Sequence, residues 1–179
     1  AVRLLRATYS ERQLFERLVE FWSDHFNIYG TGDNLNILKV VDDAEVIRTH
    51  ALGRFRDLLH ASAKSPAMIA YLDNDTNVAG AAQENYAREV MELHTLGVDG
   101  PYTEHDVREL ARCFTGWSYW RIFETGGVYG TFVFKSQSHD VGAKSVLGLT
   151  IPAGGGVGDA ESVLDLLADH PNTIAHVTT

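Results

Sequence analysis

The densest run of chemically capable side chains is Glu84-Asn85-Tyr86-Ala87-Arg88-Glu89-Val90-Met91-Glu92-Leu93-His94. Glu84, Arg88 and Glu92 recur at i, i+4 and i+8, which makes an ion ladder along one helix face. Asn85, Glu89 and Glu92 share the neighbouring face, and His94 falls beside the inward Ala87/Met91 stripe. Such a helix can present a carboxylate–imidazole site for acid–base work or for a metal. It can equally be a solvated, ion-paired face with one hydrogen-bonded core histidine. The pattern is neither the Glu-x-x-His of di-iron bundles nor the His-Glu-x-x-His of zinc proteases.

Further histidines add to this set. His25 stands at i+3 from Trp22 and i+7 from Leu18, and His50 at i+3 from Ile47, so both fall on apolar faces. A buried imidazole needs hydrogen-bond partners or a metal. Ser138-His139-Asp140-Val141-Gly142-Ala143-Lys144 reads as a loop. Its His-Asp pair with a lysine can hold an anion or a metal, serve as acid and base, or form a turn in which Asp140 accepts from nearby amides. Trp117 can wall a cleft, stack on a sugar ring, or pack in the core.

Positioning these groups requires mostly helices. Ser10 and Gln13 suggest a capping box before an amphipathic helix over 11–26, followed by a Gly30-Thr31-Gly32-Asp33-Asn34 loop. Asp42 and Glu45 open a second helix to about Ala63, and Ser65-Pro66 restarts a short one to Leu72. The chemically dense helix runs over 83–96 with Gly97 as its stop. Thr103 with Asp106 caps a fifth helix ending at Gly116, and Asp159 caps another over Val163–Leu167. The period changes between: Tyr119–Phe123 and Val128–Lys135 read as a hairpin around Glu124–Gly127, and Val146–Ile151 as a short strand. The expectation is a mainly α single domain over 1–179, of about six helices, with a small β-hairpin near 119–135.

Composition narrows the function. The 179 residues are 45% hydrophobic, which allows a packed core. Fifteen basic against 24 acidic residues give a net charge of −9, which speaks against nucleic acid as partner. No run reaches the ~18 apolar residues of a membrane span. Cys113 is the one cysteine and reads as a buried structural thiol. A Gly-x-Ser-x-Gly elbow and a P-loop are absent, and Gly154–Gly158 lacks the βαβ context of a dinucleotide loop. No signal peptide is visible, and both ends read as cuts within a longer protein.

Several strings carry a family resemblance: Phe21-Trp22-Ser23-Asp24-His25-Phe26, Ile47-Arg48-Thr49-His50-Ala51-Leu52-Gly53-Arg54-Phe55, and Ser65-Pro66-Ala67-Met68. So do Glu84–Glu89 with Leu93–Gly97, Ala111–Trp117, and His139-Asp140-x-Gly-x-Lys144. Together and in order they resemble the bacterial family catalogued as domain of unknown function 1800. The resemblance implies longer parent proteins, often exported, that accompany a second exported family resembling sulfatases. It thus implies an exported or envelope location, and it carries no established activity. The family strings hold His25, Glu84, Asn85, Arg88, Glu89, His94, Arg112, Trp117, His139, Asp140 and Lys144.

The leading functional expectation is a hydrolase acting on an extracellular or envelope polymer, with carbohydrate favoured. Glu84, Glu89, His94, His139 and Asp140 are its candidate acid–base groups, and Asn85, Arg88, Arg112, Trp117 and Lys144 its candidate substrate contacts. A divalent metal on some of His25, Glu89, His94, His139 and Asp140 is a further expectation. The alternatives are a non-catalytic envelope scaffold or partner-binding module, and a metal-dependent redox protein. The sequence does not specify an oligomeric state.

Overall fold

The computed structural model describes residues 2–30 and 32–179; Thr31, in the loop expected after the first long helix, lies outside them. The chain is mainly α, with two small antiparallel hairpins. The N-terminal part contains α1 (Val2–Tyr9), α2 (Gln13–His25) and α3 (Asp33–Asp42). A π-helical segment (Asp43–Ile47) carries α3 into α4 (Arg48–His50); α5 (Phe55–Ala63) and α6 (Pro66–Tyr71) follow. Next come α7 (Asn85–Glu89), a second π segment (Val90–Thr95) and α8 (Glu104–Phe114). Strands β1 (Trp117–Tyr119), β2 (Phe132–Phe134), β3 (Lys144–Val146) and β4 (Leu149–Ile151) lead to α9 (Gly158–Ala168) and α10 (Pro171–Thr178).

Several elements depart from the sequence reading for local physical reasons. The Ser10 hydroxyl accepts from Arg12 N–H at 3.1 Å and so holds the approach to α2 instead of capping it. The helix expected over 42–63 breaks at Gly53, whose N–H closes a turn on the His50 carbonyl at 2.8 Å. Strand β1 pairs with β2 through Trp117↔Phe134 and Tyr119↔Phe132, so a long loop replaces the expected tight turn. The strand expected over 146–151 is a second hairpin, turning at Leu147 (φ 49°) and Gly148 (φ 80°). Positive φ at both central residues is the turn geometry that matches strand twist. Thr103 and Asp106 form the expected capping box on α8. Gly97 and Gly116 stop their helices with φ of 87° and 79°.

The core is centred on α8, which packs against α7, α9 and β3. Val107, Leu110, Ala111 and Phe114 of α8 meet Tyr86, Val90 and Met91 on one side and Val163, Leu164 and Leu167 of α9 on another. Trp117 is fully buried, edge-on to Phe114 and Phe132 at 5.2 Å each. Its indole is therefore a packing element, closed to a sugar ring. Asn74 and Asn77, in a segment that reads as a plain polar turn, are buried ties. Asn74 donates to the Trp117 carbonyl at 3.0 Å and Asn77 to the Ala111 carbonyl at 2.9 Å, satisfying backbone groups around the end of α8. Among the described residues no helix is long and apolar enough to cross a membrane.

Candidate functional site

The structure separates the candidate residues into two regions. The first lies where α8, the 136–146 segment and the start of α9 meet. Thr115 Oγ1 donates to the Arg112 carbonyl at 2.6 Å and accepts from Asp140 N–H at 2.8 Å. Its one proton is thereby used, so His139 Nδ1 must donate to the Thr115 carbonyl, 2.8 Å away. His139 Nε2 faces Asp159 Oδ2 at 3.1 Å. Both ring nitrogens thus point at oxygen atoms of neighbouring residues. Lys144 Nζ reaches the same Asp159 oxygen at 2.7 Å, the Gly142 carbonyl at 2.9 Å and the Asp140 carbonyl. All three ammonium protons are occupied, and the Lys144 and Asp159 side chains are 0% and 1% exposed.

Arg112 completes this region. Its Nε and one terminal nitrogen hold Asp140 at 2.8 and 3.1 Å, and the other terminal nitrogen holds Glu109 at 2.8 and 2.9 Å. The guanidinium holds the Asp140 carboxyl down at about 2, with the Gly142 amide assisting. Asp159 is not the cap of α9; it is the buried counter-ion of Lys144. Gly155 passes so close that a Cβ there would stand 1.9 Å from Asp159 Oδ1. That approach is a structural reason for glycine in the Gly154–Gly158 loop. Asp159 Oδ1 has no hydrogen-bond partner among the described residues. His139, Asp140, Arg112 and Lys144 are brought together here, but their donors face one another and the backbone. The Cys113 thiol, buried beside them, is pushed up to about 12.

The second region is the α7–π helix. Over its last turns the backbone bonds reach five residues back: Leu96 N–H donates to Met91 O at 2.8 Å. Such segments recur at functional sites. The widened turn is braced from two sides. His25 of α2 donates from Nε2 to the His94 carbonyl, and His176 of α10 to the Leu93 carbonyl, each at 3.0 Å. His94 itself is buried against Phe26, with ring centroids 5.0 Å apart. Burial, with His25 adding to it, presses its imidazole down to about 3. Burial also lowers His25, and the His176 charge acts the same way.

The ion ladder forms only in part. Arg88 bridges back to Glu84 at 3.2 Å, but its main partner is Glu104 of α8, at 2.7 and 2.9 Å, not Glu92. Asn85 donates to the Leu72 carbonyl at the end of α6, at 3.3 Å, and so anchors the start of α7. Glu89 is different. Half-buried, it forms neither a hydrogen bond nor an ion pair through its carboxylate with any described residue. Burial, then the charge of Glu92, holds its carboxyl above the usual carboxylate range. Glu92 lies close enough to Tyr102 to help raise the phenol too, after burial. The shared Glu89/Glu92 face was visible as i, i+3 spacing; that Arg88 would turn away from Glu92 was not. Among the described residues no group of three or more His, Cys, Asp or Glu side chains is arranged to hold a metal, so His25, Glu89, His94, His139 and Asp140 supply no common ligand set.

A helical core with an unspent carboxylate face and a locked His-Asp loop defines a class of protein by architecture, not by reaction. The chain belongs to the family described as "Protein of unknown function (DUF1800)", whose match covers residues 1–179. No curated protein and no solved structure matches it.

Proposed function

We propose that the chain is a hydrolase-type enzyme acting on an extracellular or envelope polymer, with carbohydrate as the substrate class and Glu89 as the acid–base group. The observation that supports this is the state of Glu89: half-buried, unpaired among the described residues, and held above the ordinary carboxylate range. Two carboxyl groups whose environments push their proton affinities apart are the requirement for glycoside cleavage. Glu89 ends α7 and Glu92 lies in the π segment that follows, close enough for its charge to act on the Glu89 carboxyl. In this reading protonated Glu89 delivers its proton to the leaving glycosidic oxygen. Glu92 is the second carboxyl of the pair, which attacks the anomeric carbon or takes a proton from the attacking water. Arg88, fixed by Glu84 and Glu104, borders this pair as a positioning residue. Histidine has no direct acid–base role, because His94 is buried and His139 is fully engaged. The exported or envelope location belongs to the same proposal and rests on the family resemblance.

The test is release of reducing ends from a panel of envelope and extracellular polysaccharides. Glu89→Gln lowers turnover by at least about 100-fold, the usual size of a lost general acid, while the melting temperature stays within a few degrees. Turnover that survives Glu89→Gln overturns the assignment. A second reading, a non-catalytic scaffold or partner-binding module, is favoured by the fully engaged Lys144, Arg112 and His139. It gains ground if no polymer in the panel is cut.

A further inference from the structure

A cavity of about 450 Å³ opens between α1, α2, α3 and the first π segment, apart from both regions described above. Its volume lies within the range of small-molecule sites. Ala7, Val19, Val40 and Ala44 supply apolar wall. The carboxylates around it are already neutralised: Glu16 by both arms of Arg48 at 2.8 Å, Glu20 by Arg17 at 3.0 Å, and Asp43 by Lys39 at 2.8 Å. Arg6 is the exception. It lines the cavity and has no ion pair with a described residue, and its charge helps hold the Glu16 carboxyl below its usual range. Ser23, 5% exposed, adds a hydroxyl that bonds to no described side chain or carbonyl.

This arrangement selects a ligand by sign and shape. An entering anion meets a cation whose charge is not spent, whereas an entering cation meets carboxylates that all have partners. The apolar wall calls for a hydrocarbon body. We propose that this cavity binds a medium-chain amphiphile with an anionic head, taken up as a free molecule, its tail along Ala7, Val19, Val40 and Ala44 and its head at Arg6. The proposal does not depend on the Glu89 reading, since it uses none of the same residues.

The experiment is calorimetric titration of the chain with laurate below its micelle concentration, with dodecyltrimethylammonium as the cationic counterpart and anionic phosphatidylglycerol vesicles as a third arm. The expected result is saturable laurate binding at one site, at least about 10-fold tighter than the cationic amphiphile. Arg6→Gln, at an exposed position, weakens laurate about 10-fold or more. Ala44→Trp, which fills the cavity mouth, abolishes it with the helical circular-dichroism spectrum retained. Three results overturn the proposal: no saturable laurate binding, equal affinity for the two amphiphiles, or binding to vesicles without binding to free laurate.

Discussion

The His139 loop and the Glu89 face are built from the same residue types and use them to opposite ends. In the loop all three donors of Lys144 have acceptors, and Arg112 makes four bonds to the Glu109 and Asp140 carboxylates at 2.8–3.1 Å. On the helix face the Glu89 carboxylate accepts from no described residue. A buried charge that is fully matched fixes geometry, because every alternative arrangement strands it. A half-buried charge left unmatched costs stability and keeps its proton available. Titratable residue types alone therefore do not locate chemistry in this protein; the state of their partners does.

The sharpest way to break this contrast is at the locked loop. Asp159→Ala leaves Lys144 buried, 0% exposed and without its carboxylate. The expected loss is about 3–5 kcal/mol in urea denaturation. The double variant Lys144→Met/Asp159→Leu recovers most of that loss, because it removes both charges and retains the volume. If Asp159→Ala changes stability by less than about 1 kcal/mol, the loop is not a structural lock, and His139 and Lys144 return to the list of candidate active groups.

Acid probes the buried imidazole of the second region. His94 has a folded-state proton affinity lowered to about 3, against about 6.5 when unfolded. The unfolded chain therefore binds a proton that the folded ring refuses throughout that window. Stability from this group is complete above about pH 6.5 and is lost as pH falls toward 3, by on the order of 5 kcal/mol. Carboxylates contribute to acid unfolding as well, so the measurement is a difference. His94→Gln should flatten the fall in stability between pH 6.5 and 4 relative to the parent chain. An unchanged slope would mean that the imidazole takes up its proton in the folded state.

The parts of this architecture that were legible in the sequence are the locally determined ones. The Thr103/Asp106 cap and the Gly97 stop depend on neighbours within a few residues, and both form. The π segments were not legible, since a five-residue hydrogen bond leaves the same apolar stripe as a four-residue one over so short a stretch. The hairpin register is not legible because Trp117 is set by burial against Phe114 and Phe132, not by the turn residues between the strands. In the site, the identities were readable and the pairings were not. Arg88 had two partners in its own helix, and Glu104, sixteen residues away, took the stronger bonds. Asp159, read as a helix cap, is joined to His139 and Lys144 only by folding.

The finest test separates a functional carboxylate from a structural one by the sign of a small effect. A raised folded-state proton affinity means that the folded chain holds the Glu89 proton more tightly than the unfolded chain does. Stability from this group is then greatest at low pH and declines as pH rises through its folded value, so at pH 7 ionised Glu89 is a net cost. Glu89→Gln removes that cost while retaining the shape and polarity of the side chain. The expected outcome is a gain of up to about 0.5 kcal/mol at pH 7, shrinking toward zero near pH 4. A structural carboxylate behaves in the opposite way. If Glu89→Gln destabilises the chain by 1 kcal/mol or more, Glu89 is held by interactions in solution like those of the locked loop. The contrast between the two regions then fails, and with it the physical basis for assigning Glu89 the proton transfer.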